Sequence, residues 1–368
     1  MKMKYAWIFM GLGLLSSCAA PQESGIRFMI GSTDKSDSAG IHFAVLDPET
    51  GKISFKGFTA TAPSPGYIAF SPDKKALFTV TGDNMISSYG FADGQLSFIN
   101  SQPAEGQNPC HVSVHPSGEM AFLANYSDGS FSAYGVEEGA RLTPAVYTGK
   151  YEGHGPNEGR QKSPHAHCAV VSPNGKFVYV ADLGTDKVMN YVVDAADKKT
   201  EPNAAQPFFT VKPGAGPRHM AVHPGGKWLY LINELDATVT AASIGEDGSL
   251  TELATYPTLP SDYQEPGNTS AAIRLHPNGR FLYVSNRGYN AIHGFRIEED
   301  GTLAKVNEVR EKIANPRDFN LDPSGKFMIV GNQKTNDLTL LTVDPETGKL
   351  AYKSTSGNIA GPSCFEFF

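Results

Sequence analysis

The sequence predicts an all-β fold, a seven-bladed β-propeller whose C-terminal strand closes the N-terminal blade. Three observations support this prediction. A motif of two apolar strands joined by a Pro-containing turn recurs six times in the 368 residues. A second, Gly-containing turn recurs between these motifs, as in EDGSL at 246–250 and ETGKL at 346–350. The apolar segments alternate with a period of two and are rich in β-branched and aromatic residues, which is typical of strands.

Each copy of the motif predicts the two inner strands, a and b, of one blade. The copies read AFSPDKKALFTV, SVHPSGEMAFLA, VVSPNGKFVYVA, AVHPGGKWLYLI, RLHPNGRFLYVS and NLDPSGKFMIVG, with anchoring prolines at Pro72, Pro116, Pro173, Pro224, Pro277 and Pro323. The prolines are 44, 57, 51, 53 and 46 residues apart, and a strand repeat of this length indicates a propeller. The second turn then joins strands c and d, which gives four strands per blade.

The two ends of the chain supply the seventh blade. Residues 26–32, 40–46 and 52–60 fit strands b, c and d, and no strand a precedes them. The last residues, GPSCFEFF, fit a strand a with nothing after it. We therefore expect the C-terminal strand to pair with the N-terminal blade, because this closure removes both open sheet edges. The predicted propeller domain spans 26–368.

The N-terminus predicts export. Lys2 and Lys4 precede a short apolar run that ends at Leu15, and small residues lead to Cys18. This pattern is typical of a bacterial lipoprotein signal over residues 1–18, with Cys18 lipidated and residues 19–25 as a tether. The apolar run is too short to span a bilayer. We expect a protein held to the membrane by its lipid alone, on the periplasmic side or at the cell surface; the alternative is an ordinary cleaved signal.

Composition excludes several classes of protein. Hydrophobic residues make up 40% of the chain and charged residues 19%, which is too apolar for a disordered protein. The net charge of −7 offers no basic surface to nucleic acid.

Beyond the signal, the chain has an odd number of cysteines, which argues against a disulfide framework; they are Cys110, Cys168 and Cys364. No Cys/His spacing fits a zinc site, so we expect neither metal nor cofactor, and a closed ring favours a monomer.

Departures from the repeat mark the candidate site. The sixth residue before each proline opens strand a; these residues are Gly66, Cys110, His167, Arg218, Ala271 and Arg317, with Ser363 in the closing blade. Just after strand b, Glu234 and Arg287 stand out. The start of a and the end of b lie on one face of an antiparallel blade. The cluster expected at one channel mouth is therefore His167, Arg218, Glu234, Arg287 and Arg317. One glutamate cannot neutralise three arginines, which favours an anionic ligand over a salt-bridge network that only joins the blades.

Two connectors enter the same face. The longer one, YEGHGPNEGRQKSPHAH at 151–167, is expected to form a lid or substrate wall, and the other spans 258–272. Either could instead be a plain surface loop. The candidate substrate-binding residues are Arg160, Gln161, His165, Asn286 and Arg317. The last position of strand b is expected to bond backbone groups where the strand turns; it holds Asn125, Asp182, Asn233, Asn286 and Asn332.

Five segments carry a family resemblance: RQKSPHAH, ADLGTDKV, GPRHMAVHPGGKWLYLINEL, LHPNGRFLYVSNRG and PRDFNLDPSGKFMIVGNQ. They resemble the lactonase propeller family, which includes propeller-type 6-phosphogluconolactonases and carboxy-cis,cis-muconate cyclases. The resemblance covers nearly the whole chain beyond the signal. It implies a catalytic set of His, Arg, Glu and Arg in the channel, and these fall on His167 of PHAH, Arg218 of GPRH, Glu234 of NEL and Arg287 of SNRG. Arg317 is additional.

The resemblance implies hydrolysis of a small anionic lactone to a sugar acid, as in a 6-phosphogluconolactonase. Water must attack the lactone carbonyl while negative charge builds on its oxygen. Glu234 or His167 would take the proton from water, and Arg218 or Arg287 would stabilise the oxyanion. A remaining arginine would hold the phosphate or carboxylate. No G-x-S-x-G motif for a serine nucleophile is present.

Three alternatives remain open. A calcium-dependent lactonase or esterase would use oxygen ligands, although nearby arginines disfavour a cation; its ligands would be Asp182, Asn233, Glu234, Asn286 and Asn332. A muconate-type lactone cycloisomerase would use the same residues as the hydrolase. A non-catalytic propeller on a lipid anchor would bind a ligand in the channel without turnover.

Overall fold

The computed structural model describes residues 25–34, 40–60 and 63–368. Within these residues the chain forms seven antiparallel sheets in a ring and one short 3-10 turn at Glu138–Ala140, so the predicted seven-bladed propeller is confirmed. The predicted signal, the lipidation site Cys18 and residues 19–24 of the tether lie outside the described residues. In the described part, no helix has the length and apolar character needed to cross a bilayer.

The strands follow one another in a regular order. In chain order they are β1 Ile26–Ser32, β2 Ile41–Leu46, β3 Ile53–Ala60, β4 Tyr67–Phe70, β5 Ala76–Thr81, β6 Met85–Ala92, β7 Gln95–Pro103, β8 Pro109–Val114, β9 Met120–Asn125, β10 Ser130–Glu137, β11 Arg141–Lys150, β12 Ala166–Val171, β13 Phe177–Asp182, β14 Lys187–Asp194, β15 Lys199–Pro202, β16 Phe208–Thr210, β17 Pro217–Val222, β18 Trp228–Asn233, β19 Thr238–Ile244, β20 Leu250–Pro257, β21 Thr269–Leu275, β22 Phe281–Arg287, β23 Ala291–Ile297, β24 Leu303–Val309, β25 Pro316–Leu321, β26 Phe327–Asn332, β27 Asp337–Val343, β28 Leu350–Gly357 and β29 Pro362–Phe367. Blade 1 joins β29, β1, β2 and β3; blades 2 and 3 take β4–β7 and β8–β11; blade 4 takes β12–β16; blades 5, 6 and 7 take β17–β20, β21–β24 and β25–β28.

The ring closes between the two ends of the chain, as predicted. Strand β29 pairs antiparallel with β1, with Phe28 opposite Phe367 and Ile30 opposite Phe365. The innermost strand of each blade contacts the innermost strands of both neighbours, including β29 against β4. The channel is therefore lined by inner strands drawn from all parts of the described chain.

Blade 4 departs from the pattern at its outer edge. Strands β15 and β16 both pair with β14, so two short strands replace a continuous strand d. Pro202 and Pro207 stand at this break, and a proline has no backbone N–H to donate to the sheet. The break lies on the outer rim and leaves the channel unchanged.

The two sequence repeats meet where neighbouring blades pack. A tyrosine hydroxyl in strand b donates to the carbonyl oxygen of the turn glycine in the next blade. The pairs are Tyr179 to Gly248, Tyr230 to Gly301 and Tyr283 to Gly348, each at 3.0 Å. Buried apolar side chains surround these bonds; between blades 4 and 5, Val188 belongs to one cluster with Leu229 and Leu231. Packing between blades thus explains why the two repeats recur together.

The inner strands carry β-bulges at the positions that depart from the sequence repeat. In five blades the register between strands a and b skips one residue, and the skipped residues are Cys110, His167, Arg218, Arg317 and Ser363. In blade 6 the skip covers Ala271 and Ala272. A bulged residue is unpaired in the ladder and its side chain is re-aimed, which is common at barrel rims beside functional sites. These bulges lie at one end of the channel, which we call the upper mouth.

Candidate active site

Glu234 lies at the centre of the upper mouth and contacts three arginines. It directly follows β18, is buried, and its Oε1 accepts a hydrogen bond of 2.6 Å from Nη2 of Arg160. Its Oε2 forms ion pairs with Nε of Arg218 at 2.8 Å and Nη2 of Arg287 at 3.0 Å. Burial alone would raise the pKa of Glu234, but the charges of these arginines outweigh burial and lower the pKa. The carboxylate therefore stays charged, with both oxygens engaged.

Backbone carbonyls hold two of these arginines in place. Arg218, the bulged residue of β17, is 1% exposed and donates from Nη1 to the carbonyl oxygen of Ala271 at 2.6 Å. Arg287, at the end of β22, donates from Nη2 to the carbonyl oxygen of Ser270 at 3.0 Å. Both carbonyls lie in the first three residues of β21, where the predicted 258–272 connector ends. The Nε atoms of both arginines are buried, and Nε of Arg218 faces Glu234.

Arg317 adds a fourth guanidinium group to the upper mouth. It is the bulged residue of β25 and is partly exposed. Within the described part of the chain, its guanidinium group takes part in no hydrogen bond or ion pair. Burial and the nearby charge of Arg218 lower the pKa of Arg317. The mouth therefore contains four arginines and one glutamate in contact with three of them, which leaves an excess of positive charge.

His167 presents a neutral imidazole to the same mouth. It is the bulged residue of β12 and is 6% exposed. The rings of Tyr126 and His219 meet it edge to face, with centroids 5.4 and 5.2 Å away. Burial, and then the charges of Arg218 and Arg317, hold the pKa of His167 well below its usual range. The imidazole is therefore unprotonated, as a proton acceptor must be.

The inserted connector forms one side of the mouth through Arg160 and His165. Besides contacting Glu234, Arg160 donates from Nη2 to the hydroxyl oxygen of Tyr126 at 3.3 Å. The ring of His165 stacks on Tyr126 at 4.5 Å, and its Nδ1–H donates to the Tyr126 carbonyl oxygen at 2.9 Å. Tyr126 was not predicted as a site residue. The signal was present, because Tyr126 follows strand b in the repeat position that holds Glu234 and Arg287 in other blades.

Two predicted substrate-binding residues lie behind the mouth. Gln161 is fully buried, and its Nε2 donates to the carbonyl oxygen of Leu183 at 2.9 Å and to Oδ1 of Asp186 at 2.8 Å. Asn286 is also fully buried and donates to two hydroxyl groups of the second connector. Both side chains hold the loops that shape the mouth. That they touch the substrate stays a prediction.

Three of the last residues of strand b bond backbone groups, as expected, whereas Asn233 and Asn286 donate to side-chain hydroxyl groups. Asn125 and Asn332 donate to backbone carbonyls of the preceding connectors at 3.1 and 3.0 Å. Asp182 accepts a hydrogen bond from the backbone N–H of His165 at 2.6 Å.

The described residues contain no group of three or more His, Cys, Asp and Glu arranged to hold a metal ion. Their three cysteines are unpaired thiols, as the odd number predicts.

The other end of the channel, which we call the lower mouth, holds a matched ion pair. Arg274 of β21 donates from Nη2 to Oδ2 of Asp318 at 2.8 Å and to the hydroxyl oxygen of Tyr67 at 3.3 Å. Asp318 is 1% exposed. A cavity of about 200 Å³ opens beside this pair, and His219 and Glu366 are among the residues that line it. The lower mouth was not predicted from the sequence.

Comparison with known proteins gives one consistent result. The chain matches a family model described as lactonase, 7-bladed beta-propeller, over residues 27–367. A 6-phosphogluconolactonase of Bacillus subtilis is 32% identical over 345 residues, which cover 92% of this chain and 97% of the relative. A 6-phosphogluconolactonase of Formosa agariphila is 30% identical over 347 residues, which cover 91% and 97%. Among solved structures, the periplasmic gluconolactonase of Pseudomonas aeruginosa superposes with a TM-score of 0.85 at 29% identity, covering 94% of this chain and 99% of that one.

Proposed function

The chain belongs to the seven-bladed β-propeller lactonase family and is a lactone hydrolase, and we propose that it hydrolyses a sugar lactone bearing an anionic group, at the upper mouth and without a metal. The observation that carries this proposal is that three guanidinium groups share one carboxylate there, while the fourth, that of Arg317, has no ion-pair partner among the described residues. Guanidinium groups recognise phosphate and carboxylate through paired, charge-assisted hydrogen bonds. A bound cation would instead be repelled by the same groups. An anionic substrate restores the balance of charge.

His167 is the proposed general base. Its imidazole is neutral, whereas both oxygens of Glu234 are already engaged by arginines. Water forms a bond to the lactone carbonyl carbon and passes a proton to His167. The ring C–O bond then breaks, and the leaving oxygen takes that proton. The product is an open-chain sugar acid.

The arginines divide into two proposed roles. Arg287 is 15% exposed and contacts Glu234 and the carbonyl oxygen of Ser270, so we assign the oxyanion to it. Loss of one such donor typically costs roughly 100- to 1000-fold in kcat. Arg218 is 1% exposed and orients Glu234 from behind. Arg160 and Arg317 are partly exposed and are assigned to the anionic group.

An assay panel tests the proposal. Purified protein is offered 6-phosphogluconolactone, gluconolactone and a muconolactone, each with and without a chelator. We expect the phosphorylated lactone to react fastest and the chelator to have no effect. Glu234→Gln and Arg218→Ala should lose most of the activity, whereas Arg296→Met, at a 57% exposed site on β23, should keep it. Absence of turnover on every lactone, or full activity of Glu234→Gln and Arg218→Ala, would contradict the proposal; reaction of the muconolactone alone would favour the cycloisomerase.

The predicted export is a separate proposal. Cys18 lies outside the described residues, and its lipidation rests on the N-terminal sequence pattern. A relative of similar fold is named as a periplasmic gluconolactonase, which supports lactone hydrolysis outside the cytoplasm. Labelling cells with a tagged fatty acid should mark the wild-type protein in the membrane fraction. Cys18→Ala should remain unlabelled, and a labelled Cys18→Ala protein would contradict lipidation at this residue.

A further inference from the structure

We propose that the anionic group of the substrate is part of the catalytic machinery: held by Arg317, it offsets the positive charge around His167 and so enables this imidazole to take the proton of the attacking water. This inference rests on the proposed function and specifies it, because the anion then does more than provide affinity. A neutral sugar lactone should fit the mouth and still be hydrolysed slowly.

Arg317 is the arginine of the upper mouth that is free to accept this anion. Each of the other three contacts Glu234 at 3.0 Å or less, whereas Arg317 has no hydrogen bond or ion pair among the described residues. Like His167 and Arg218, it is the bulged residue near the start of an inner strand, so it belongs to the same cluster. An anion on Arg317 therefore adds negative charge to the site without displacing Glu234.

The charged groups that act on His167 are cations. Arg218 on β17, Arg287 at the end of β22 and Arg317 on β25 each lower the pKa of His167. Glu234 is the carboxylate in contact with this cluster, and three arginines already share it. A proton placed on His167 would therefore face positive charge from three blades.

The uncharged neighbours of His167 do not offset these cations. Nδ1 of His167 lies 3.8 Å from Sγ of Cys110 on β8, and burial raises the pKa of this thiol to about 12. Tyr126 and His219 contact His167 through their rings, and burial holds the pKa of His219 well below its usual range. His165 is turned onto Tyr126. Among the described residues, none of the groups in contact with His167 therefore supplies the negative charge that an imidazolium at this position needs.

The substrate can supply that charge. A phosphate group carries roughly −1.5 to −2 charges at pH 7, and an opposite charge within about 4–6 Å favours the protonated form of a titrating group. As the oxygen of water bonds to the carbonyl carbon, its proton moves to a ring nitrogen of His167. The imidazolium then forms beside the bound anion. When the ring C–O bond breaks, the same proton passes to the leaving oxygen, so the step needs no reactant besides water.

The test supplies lactone and anion as separate molecules. Turnover of gluconolactone is measured with increasing inorganic phosphate, and each rate is corrected for the rate without enzyme in the same buffer. We expect phosphate to raise kcat for this neutral lactone about tenfold or more, which corresponds to one unit of pKa, and to saturate. The acidic limb of the kcat–pH profile should move to higher pH. Arg317→Met should abolish the activation, Arg317→Lys should keep part of it, and Arg296→Met should keep all of it.

The results that would overturn this inference differ from those that would overturn the proposed function. If phosphate leaves kcat unchanged, inhibits the reaction, or activates folded Arg317→Met as strongly as the wild type, the inference is overturned while lactone hydrolysis stands. If no lactone is turned over, neutral or phosphorylated, the proposed function falls and this inference with it. Circular dichroism shows whether each variant is folded; should Arg317→Met not fold, the phosphate response of the wild type and Arg317→Lys decides.

Discussion

The two mouths of the channel are built from the same inner strands, and both bury arginine beside carboxylate, yet they balance charge differently. At the upper mouth three arginines share Glu234, and Arg317 adds a fourth positive charge. At the lower mouth Arg274 has Asp318 to itself at 2.8 Å, and Lys74 lies 3.9 Å from Glu366. A matched pair needs no ligand, whereas an excess of one sign calls for a counter-charge from outside. Unbalanced charge, rather than buried charge, therefore distinguishes the candidate active site from the lower mouth.

The difference arises within single strands. In β25, Arg317 is bulged and joins the upper mouth, while the next residue, Asp318, returns to register and joins the lower mouth. In β17, Arg218 and His219 divide in the same way. Neighbouring residues of one strand therefore contribute to different mouths. Successive side chains of a strand point in opposite directions, and the bulge re-aims one of them.

The largest expected effect lies at the upper mouth. His167→Gln should lower kcat roughly 100- to 10,000-fold, because a positioned general base contributes that much and an amide cannot take the proton. Steady-state kinetics with 6-phosphogluconolactone measure the effect, and circular dichroism controls for folding. A kcat close to the wild-type value would remove His167 from the mechanism.

The matched pair of the lower mouth should respond in stability instead. Arg274→Met leaves Asp318 buried without its cation, and the free energy of unfolding should fall by about 3 kcal/mol. Burial already raises the pKa of Asp318, so the loss should be largest at pH 8 and shrink as the carboxyl group becomes protonated at lower pH. Urea unfolding at several pH values measures this, and kcat of the folded variant should stay near that of the wild type. A large fall in kcat with unchanged stability would reverse the roles of the two mouths.

A smaller effect is expected at the edge of the upper mouth. The side chain of Arg160 is 37% exposed, and exposed ion pairs contribute only about 0.2–1 kcal/mol. Arg160→Ala should therefore raise KM for the anionic lactone by roughly two- to fivefold, with little change in kcat. Parallel kinetics with Arg296→Met control for the loss of one positive charge. An unchanged KM would place the connector outside the binding site.

The smallest effect concerns Glu366 at the lower mouth. Burial raises the pKa of this carboxyl group, so its charged form is disfavoured in the folded state and costs stability above the folded-state pKa. As pH falls through that pKa toward the ordinary value, the cost disappears. Glu366→Gln should raise the melting temperature by about 1–2 °C at pH 8 and not at pH 4. Thermal scans at both pH values measure the difference, and a variant that is less stable at pH 8 would show that Lys74 outweighs burial.

The fold was predictable because each blade of the ring is built from a similar sequence motif, and the motif recurs along the chain. Prolines near every fiftieth residue predict the number of blades, and a strand a at the far end of the chain predicts the closure. The ionisable residues of the candidate site were predictable for the complementary reason: His167, Arg218 and Glu234 interrupt a repeat whose other positions serve packing.

The other features of the two mouths depend on three-dimensional geometry that could not be predicted from the sequence. The bulged residues depart from the sequence repeat, but the sequence does not show that the register between strands changes there. The contact of Arg160 with Glu234 joins residues 74 positions apart through an irregular connector. Arg274 and Asp318 occupy interior positions of inner strands in different blades, so their pairing emerges only when the ring is closed.

The most direct test of the central claim is the ratio of kcat/KM for 6-phosphogluconolactone to that for gluconolactone, measured in one buffer for the wild type and for Arg317→Met. Charge-assisted hydrogen bonds to an anion contribute about 1.5–3 kcal/mol each, so the wild type should prefer the phosphorylated lactone by about 100-fold or more. Arg317→Met should lose most of this preference. A wild-type ratio near one, or the same ratio in both proteins, would contradict the claim that excess positive charge at the upper mouth selects the substrate.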